Sequence, residues 1–142
     1  MRLLPSRIIA SLLVATAVCA VAAGSHRLSE KARQMPGHYY INEISQDQPL
    51  LELNDDATCT VRAIKPGILT YAVAGRWDVV GDSLVIEVEP VLTELQGDSS
   101  LIGNIPRRLA RRVQEFTGTS LTLRHEGNDY VYLRRLPVAD ND

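Results

Sequence analysis

The chain has 142 residues, of which 15 are Lys or Arg and 17 are Asp or Glu, so its formal net charge is -2. Hydrophobic residues make up 45% of the chain and aromatic residues 5%. This length fits one ordinary domain and excludes a large multidomain enzyme. The balanced charge excludes the basic field of a typical nucleic-acid-binding protein, and the apolar content argues against wholesale disorder.

The start of the chain has the layout of a secretory signal peptide, which we predict over residues 1–23. Arg2 and Arg7 give a positive start, an uncharged apolar stretch follows over 8–24, and small residues at its end suit a signal peptidase. Two alternatives stay open: a retained membrane anchor, for which the stretch has the minimum length, and a lipoprotein lipidated at Cys19. The sequence therefore predicts a periplasmic or secreted protein, which contacts a membrane only if the leader stays uncleaved or Cys19 is lipidated.

Beyond the leader, the sequence predicts a polar linker or short helix over 24–36, a β domain over 37–137 and a tail over 138–142. Within the β domain, short apolar runs alternate with turn signals, and Gly75 marks a bulge or bend in the longest run. The predicted strands are His38–Ile44, Leu50–Leu53, Ala57–Ile64, Leu69–Val80, Ser83–Glu89, Ser120–Arg124 and Tyr130–Leu136. Tight turns between strands predict an antiparallel meander, and closure into a small barrel would remove exposed edges.

One segment departs from this alternation. Ile105, Leu109, Val113 and Phe116 would share one narrow arc of an α-helix. The sequence therefore predicts one inserted amphipathic helix over about 104–116, whose apolar stripe covers an end or a face of the sheet.

The other side of this helix would carry four arginines, which are Arg107, Arg108, Arg111 and Arg112. Such a cluster predicts a surface that binds a partner protein or an anionic envelope component. The alternative is a solvated helix face whose charges pair with nearby acidic residues.

Three aromatic residues of the strand runs, Tyr39, Tyr71 and Trp77, are candidate ligand-binding residues near the barrel mouth. A barrel of about eight strands is wide enough either to be filled by its own side chains or to hold one small ligand. Both possibilities stay open at this point.

No motif points to catalysis or to a metal. His38 and His125, with Cys59, have the right ligand chemistry but no spacing typical of a metal site, and a nucleophile elbow and a phosphate-binding loop are both missing. We therefore predict no enzyme activity, no metal and no cofactor. An active site that uses the two histidines is the least favoured hypothesis. Cys59, without a partner once the leader is removed, is predicted to be a buried structural thiol.

Several segments resemble bacterial lipocalin-like small barrels, among them the N-terminal domain of the envelope copper-stress lipoproteins. The segments are Gly37–Tyr40, Leu51–Ala57, Gly75–Ile86, Ser120–Leu123 and Tyr130–Arg135. The resemblance implies a lipocalin-like fold and an envelope location. The CxxC motif of the copper-stress family is missing, so no metal-sensing residue is carried over.

Together these features predict an exported binding or interaction module of a bacterial envelope, without catalytic activity; inhibitor and immunity-type proteins are one subclass of such modules. The alternative function is a carrier that holds a small apolar ligand inside the barrel.

Overall fold

The structure, a computed structural model, describes residues 27–136 and consists mainly of β-strands. Eight antiparallel strands form a closed barrel in which each strand pairs with the next along the chain and the last pairs with the first. They are β1 (Gly37–Tyr40), β2 (Leu51–Leu53), β3 (Thr58–Lys65), β4 (Leu69–Val80), β5 (Ser83–Gly97), β6 (Arg108–Phe116), β7 (Ser120–His125) and β8 (Asn128–Arg135). The predicted antiparallel barrel is confirmed.

The core lies inside the barrel because successive side chains of a strand point to opposite faces of the sheet. The largest fully buried side chains come from four different strands and are Tyr39, Leu53, Leu84 and Leu121. Their strand neighbours His38, Glu52 and Thr122 are polar and only half-buried. The alternation recognised in the sequence therefore defines the inside and the outside of the barrel.

Residues 27–36, where a linker or short helix was predicted, pack against one end of the barrel. Leu28, Ala32 and Met35 are buried there as part of the core, and a single 3-10 turn spans Ala32–Gln34. The Ser29 backbone N–H donates to Asp78 Oδ1 at 2.9 Å. This segment closes the end of the barrel at which β4 ends and β5 begins.

The predicted helix over 104–116 is wrong. Most of that segment forms β6, and the part of the chain that the structure describes contains only two 3-10 turns as helical elements, Ala32–Gln34 and Ser99–Leu101. Leu109 and Val113 are four residues apart, a spacing that puts two side chains on one face of a helix and also on one face of a strand.

In the sequence, Phe116 favours a helical period, because it follows Val113 by three positions. Two residues at this spacing share one face of a helix but lie on opposite faces of a regular strand. In the structure the pairing of β6 with β7 shifts register between Val113 and Glu115. The extra residue of this β-bulge returns Phe116 to the inner face. β6 pairs with β5 on one side and with β7 on the other, so its backbone N–H and C=O groups have hydrogen-bond partners without forming a helix.

Strands β4 and β5 contain a second irregularity. Gly75 pairs with Val88, whereas Val73 pairs with Leu92, so β5 carries extra residues around Pro90. β6 pairs with the first part of β5, Ser83–Glu87. The pairing therefore shifts beside Gly75, where a bulge or bend was predicted, but the extra residues lie in β5 and not in β4. β5 runs on to Gly97, well past the predicted end at Glu89.

Candidate functional site

A cavity of about 200 Å³ lies between strands inside the barrel. Six strands contribute to its lining, and its apolar wall consists of Leu51, Val61, Leu84, Ile86, Leu109 and Leu123. Leu84, Ile86 and Leu123 are at most 3% exposed, so this wall belongs to the protein core. The cavity thus reaches the core on one side and is partly open to solvent, where its lining residues are half-buried.

Three of the residues that line the cavity have polar side chains, and two of these, Arg111 and Tyr132, are candidates to bind a ligand. Arg111 of β6 and Tyr132 of β8 line it and are both half-buried. Several apolar lining residues, such as Val61 and Leu109, are half-buried as well. We call the part of the lining formed by Arg111 and Tyr132 the polar end of the cavity.

Arg111 faces inward because β6 alternates. Leu109, Arg111 and Val113 are half-buried, while Ala110 and Arg112 between them are exposed. The guanidinium Nη1 of Arg111 donates to the carbonyl oxygen of Ala110 at 3.0 Å. Within residues 27–136 no carboxylate lies within salt-bridge distance of Arg111, so its charge faces a site without an acidic partner.

Tyr132 lines the same cavity, and its phenol is near enough to Arg111 to be affected by its charge. Burial raises the pKa of Tyr132, and the positive charge of Arg111 opposes this shift. The phenol is therefore protonated at neutral pH and can donate a hydrogen bond. Arg111 and Tyr132 together supply donors at the polar end of the cavity.

A second arginine, Arg62 of β3, also borders the cavity but is already paired with two carboxylates. Its guanidinium contacts Glu52 at 2.8 Å and Glu94 at 2.9 Å, and it donates to the Pro49 carbonyl at 2.7 Å. Ala72 lies between Arg62 and Glu94 in the sheet register, and its small side chain leaves room for this contact. We interpret this network as structural, because it ties the loop before β2 to three strands.

The predicted aromatic residues do not form one surface. Tyr39 is fully buried, and its hydroxyl donates to the Met35 carbonyl of the segment that closes the barrel. Trp77 is 2% exposed, and its Nε1 donates to the Asn54 carbonyl at 2.9 Å. Tyr71 is half-buried and pairs with Leu95 across β4 and β5. None of the three lines the cavity.

The predicted arginine cluster is divided between the two faces of the sheet. Arg108 and Arg112 point outward from β6, and Arg107 is exposed just before the strand, whereas Arg111 points inward. Arg108 pairs with Glu87 at 3.1 Å. The sequence therefore did contain a sign of the inward arginine. If residues 108–113 are read as a strand, their alternation puts Arg111 on the opposite face from Arg108 and Arg112.

The two histidines lie apart, on β1 and β7, which are not neighbours in the barrel. His38 Nε2 is 3.9 Å from Glu52, and His125 Nε2 is 3.6 Å from Glu126. Over the described range 27–136, no group of three or more His, Cys, Asp or Glu side chains is placed to hold a metal ion.

Cys59 lies in the core with 2% of its surface exposed, and burial raises the pKa of its thiol to about 12. The thiolate is the reactive form, so we expect iodoacetamide to label Cys59 about a hundredfold or more slowly in the native protein than in urea. Mass spectrometry after timed quenching measures both rates. Equal rates would show that the thiol is accessible in the native state.

Four larger depressions, of about 280 to 350 Å³, also lie among the described residues. Two of them contain an ion pair between lining residues, Arg108 with Glu87 in one and Lys31 with Asp82 at 3.3 Å in the other. The smaller cavity differs from all four because most of its lining belongs to the core or packs against it, so we take it as the candidate site.

No protein-family model, curated protein or solved structure matches the chain. Among residues 27–136 there is also no helix with the length and apolar character needed to cross a bilayer.

Proposed function

We propose that this protein is an exported binding protein of a bacterial envelope that holds one small, largely apolar ligand inside its barrel. The cavity carries the proposal, because seven of its ten lining residues are apolar and only Arg62, Arg111 and Tyr132 contribute polar side chains. This combination is typical of small-molecule binding sites. The signal-like leader over residues 1–23 supports export.

The size of the cavity limits the ligand. Sites for drug-sized molecules have volumes of about 300–1,000 Å³, and an apolar cavity of about 150 Å³ holds benzene. A cavity of about 200 Å³ therefore fits a ligand of roughly eight to ten non-hydrogen atoms. Among the residues that line it there is no Ser, Cys, His, Asp or Glu, which supports binding over catalysis.

Partner binding through the outer arginines is the second candidate function. Arg112 lies directly opposite Arg124 in the pairing of β6 with β7. Like charges directly opposite each other destabilise a sheet, and an anionic partner would relieve this repulsion. The candidate partner-binding surface therefore consists of Arg107, Arg108 and Arg112 and excludes Arg111, which points into the barrel.

The proposed ligand site is tested by filling the cavity. Leu109 borders it and Ala110, the next residue, points outward, so Leu109→Phe and Ala110→Phe place the same bulk on opposite faces of β6. We expect Leu109→Phe to weaken the binding of hexanamide by about tenfold or more, since the added ring occupies the space of the ligand. Ala110→Phe should leave the affinity unchanged.

Titration of the methyl signals in NMR spectra measures both affinities, and circular dichroism checks that each variant retains its β structure. Equal affinities of the wild type and Leu109→Phe, in a folded variant, would place the ligand outside the cavity. No saturable change in any methyl signal of the wild type, either with hexanamide or with its charged counterpart hexanoate, would reject the site altogether.

A further inference from the structure

The guanidinium of Arg111 gives the polar end of the cavity a group that can only donate hydrogen bonds. Arg111 uses one N–H on the Ala110 carbonyl, and a guanidinium has five N–H groups, so other donors are left for a ligand. Tyr132 adds a protonated hydroxyl, which can donate as well as accept. A ligand group that meets Arg111 must therefore accept hydrogen bonds, and Tyr132 can donate one to the same group.

The comparison with Arg62 shows what distinguishes Arg111. Both arginines line the cavity, but Arg62 already pairs with two carboxylates, those of Glu52 and Glu94, whereas the described residues place no acidic side chain within 4 Å of Arg111. Arg111 is half-buried and its hydrogen bond to Ala110 is exposed, so water screens part of its charge. An anionic ligand group still gains a charge-assisted hydrogen bond from this guanidinium, and a single guanidinium suits a single anionic group.

We propose that the cavity selects a small monocarboxylate with an apolar tail. The carboxylate binds the guanidinium of Arg111 and the hydroxyl of Tyr132, and the tail lies against Leu84, Ile86 and Leu109. The planar guanidinium fork suits the two oxygens of a carboxylate, which favours this group over other monoanions. This inference rests on the proposed ligand-binding function and adds the chemical class of the ligand.

Two probes of nearly identical shape test the inference. Hexanoate and hexanamide have the same tail and differ in the charge of the head group. We expect the wild-type protein to bind hexanoate roughly tenfold to a hundredfold more tightly than hexanamide, because hydrogen bonds to a charged group are the stronger kind. Isothermal titration calorimetry at neutral pH measures both dissociation constants.

The variant Arg111→Met keeps an unbranched side chain and removes the charge. It should lose the preference for hexanoate and still bind hexanamide with nearly wild-type affinity. Arg112→Met is the matched control, since Arg112 is the next residue and points outward, and it should keep the preference. Tyr132→Phe should reduce the preference in part, and it provides a second variant if Arg111→Met does not fold.

The outcomes separate this inference from the function on which it rests. Equal binding of hexanoate and hexanamide by the wild type would overturn the inference while leaving a cavity for neutral ligands. A preference that survives in Arg111→Met would overturn it as well, because the charge would then be recognised elsewhere. Binding of neither probe would reject both the carboxylate site and the ligand-binding function.

Discussion

Replacing Gly75 with alanine should destabilise the protein by about 3 kcal/mol, although it adds only one methyl group. A Cβ atom at this position would lie well inside van der Waals distance of the Glu87 carbonyl oxygen, and also close to the Cα atom of Val88. These are backbone atoms of β5 at the start of its bulge, so they cannot move aside as the end of a flexible side chain can. Relief requires β4 and β5 to separate where they pair.

The loop residue Gly103 gives the matched control. A Cβ atom there would meet no atom within 4 Å, and the backbone does not adopt the left-handed conformation that favours glycine. Gly103→Ala should therefore be neutral or slightly stabilising, by about 0.5 kcal/mol, because it restricts the unfolded chain. Urea unfolding of the three proteins measures the differences. A loss below about 1 kcal/mol for Gly75→Ala would show that the two strands can adjust at the bulge.

The sequence was sufficient to predict an antiparallel barrel, because seven of its eight strands show the alternation of a half-buried strand, although β6 was predicted as a helix. The run Leu69–Val80 and the alternation that begins at Ser83 both appear in the structure, joined by the predicted turn at Gly81. The continuation of β5 beyond Glu89 was not predictable in the same way. Pro90 ends a strand in most contexts, and here it is tolerated because it lies in the bulge, where a missing N–H breaks no regular pairing.

The candidate site was harder to predict than the fold. Arg111 stood in a row of arginines that looked like one basic surface, and only the strand period assigns it to the inside of the barrel. The choice between strand and helix over this segment depended on a bulge near Glu115, which leaves no mark in the composition. Local periodicity was therefore ambiguous, and pairing with β5 and β7 decided it.

The closing segment was also beyond what patterning alone could show. Leu28, Ala32 and Met35 are separated by polar residues and do not stand out from a linker sequence. They become part of the core because Ser29 and Lys31 anchor the segment to the turn between β4 and β5. These contacts join residues that are about 50 positions apart, so the sequence of the segment alone does not predict them.

Trp77 is the residue whose loss should cost most, since Trp77→Ala should lower the free energy of unfolding by about 3 to 5 kcal/mol. Its ring is 2% exposed and fills the core, so truncation leaves a cavity that its rigid neighbours cannot close. The variant also leaves the Asn54 carbonyl without the indole N–H that it now accepts at 2.9 Å. Both effects act in the same direction.

The variant Trp77→Phe separates these two effects. It keeps most of the apolar volume and removes the hydrogen bond, so it should cost about 1 to 2 kcal/mol. Val80→Ala, on the same strand but 61% exposed, should change the free energy of unfolding by less than about 0.5 kcal/mol. Urea unfolding followed by far-ultraviolet circular dichroism compares all three without relying on tryptophan fluorescence. If Trp77→Ala were as stable as Val80→Ala, Trp77 would not fill the core, and a ligand-binding role for this residue would again be the better interpretation.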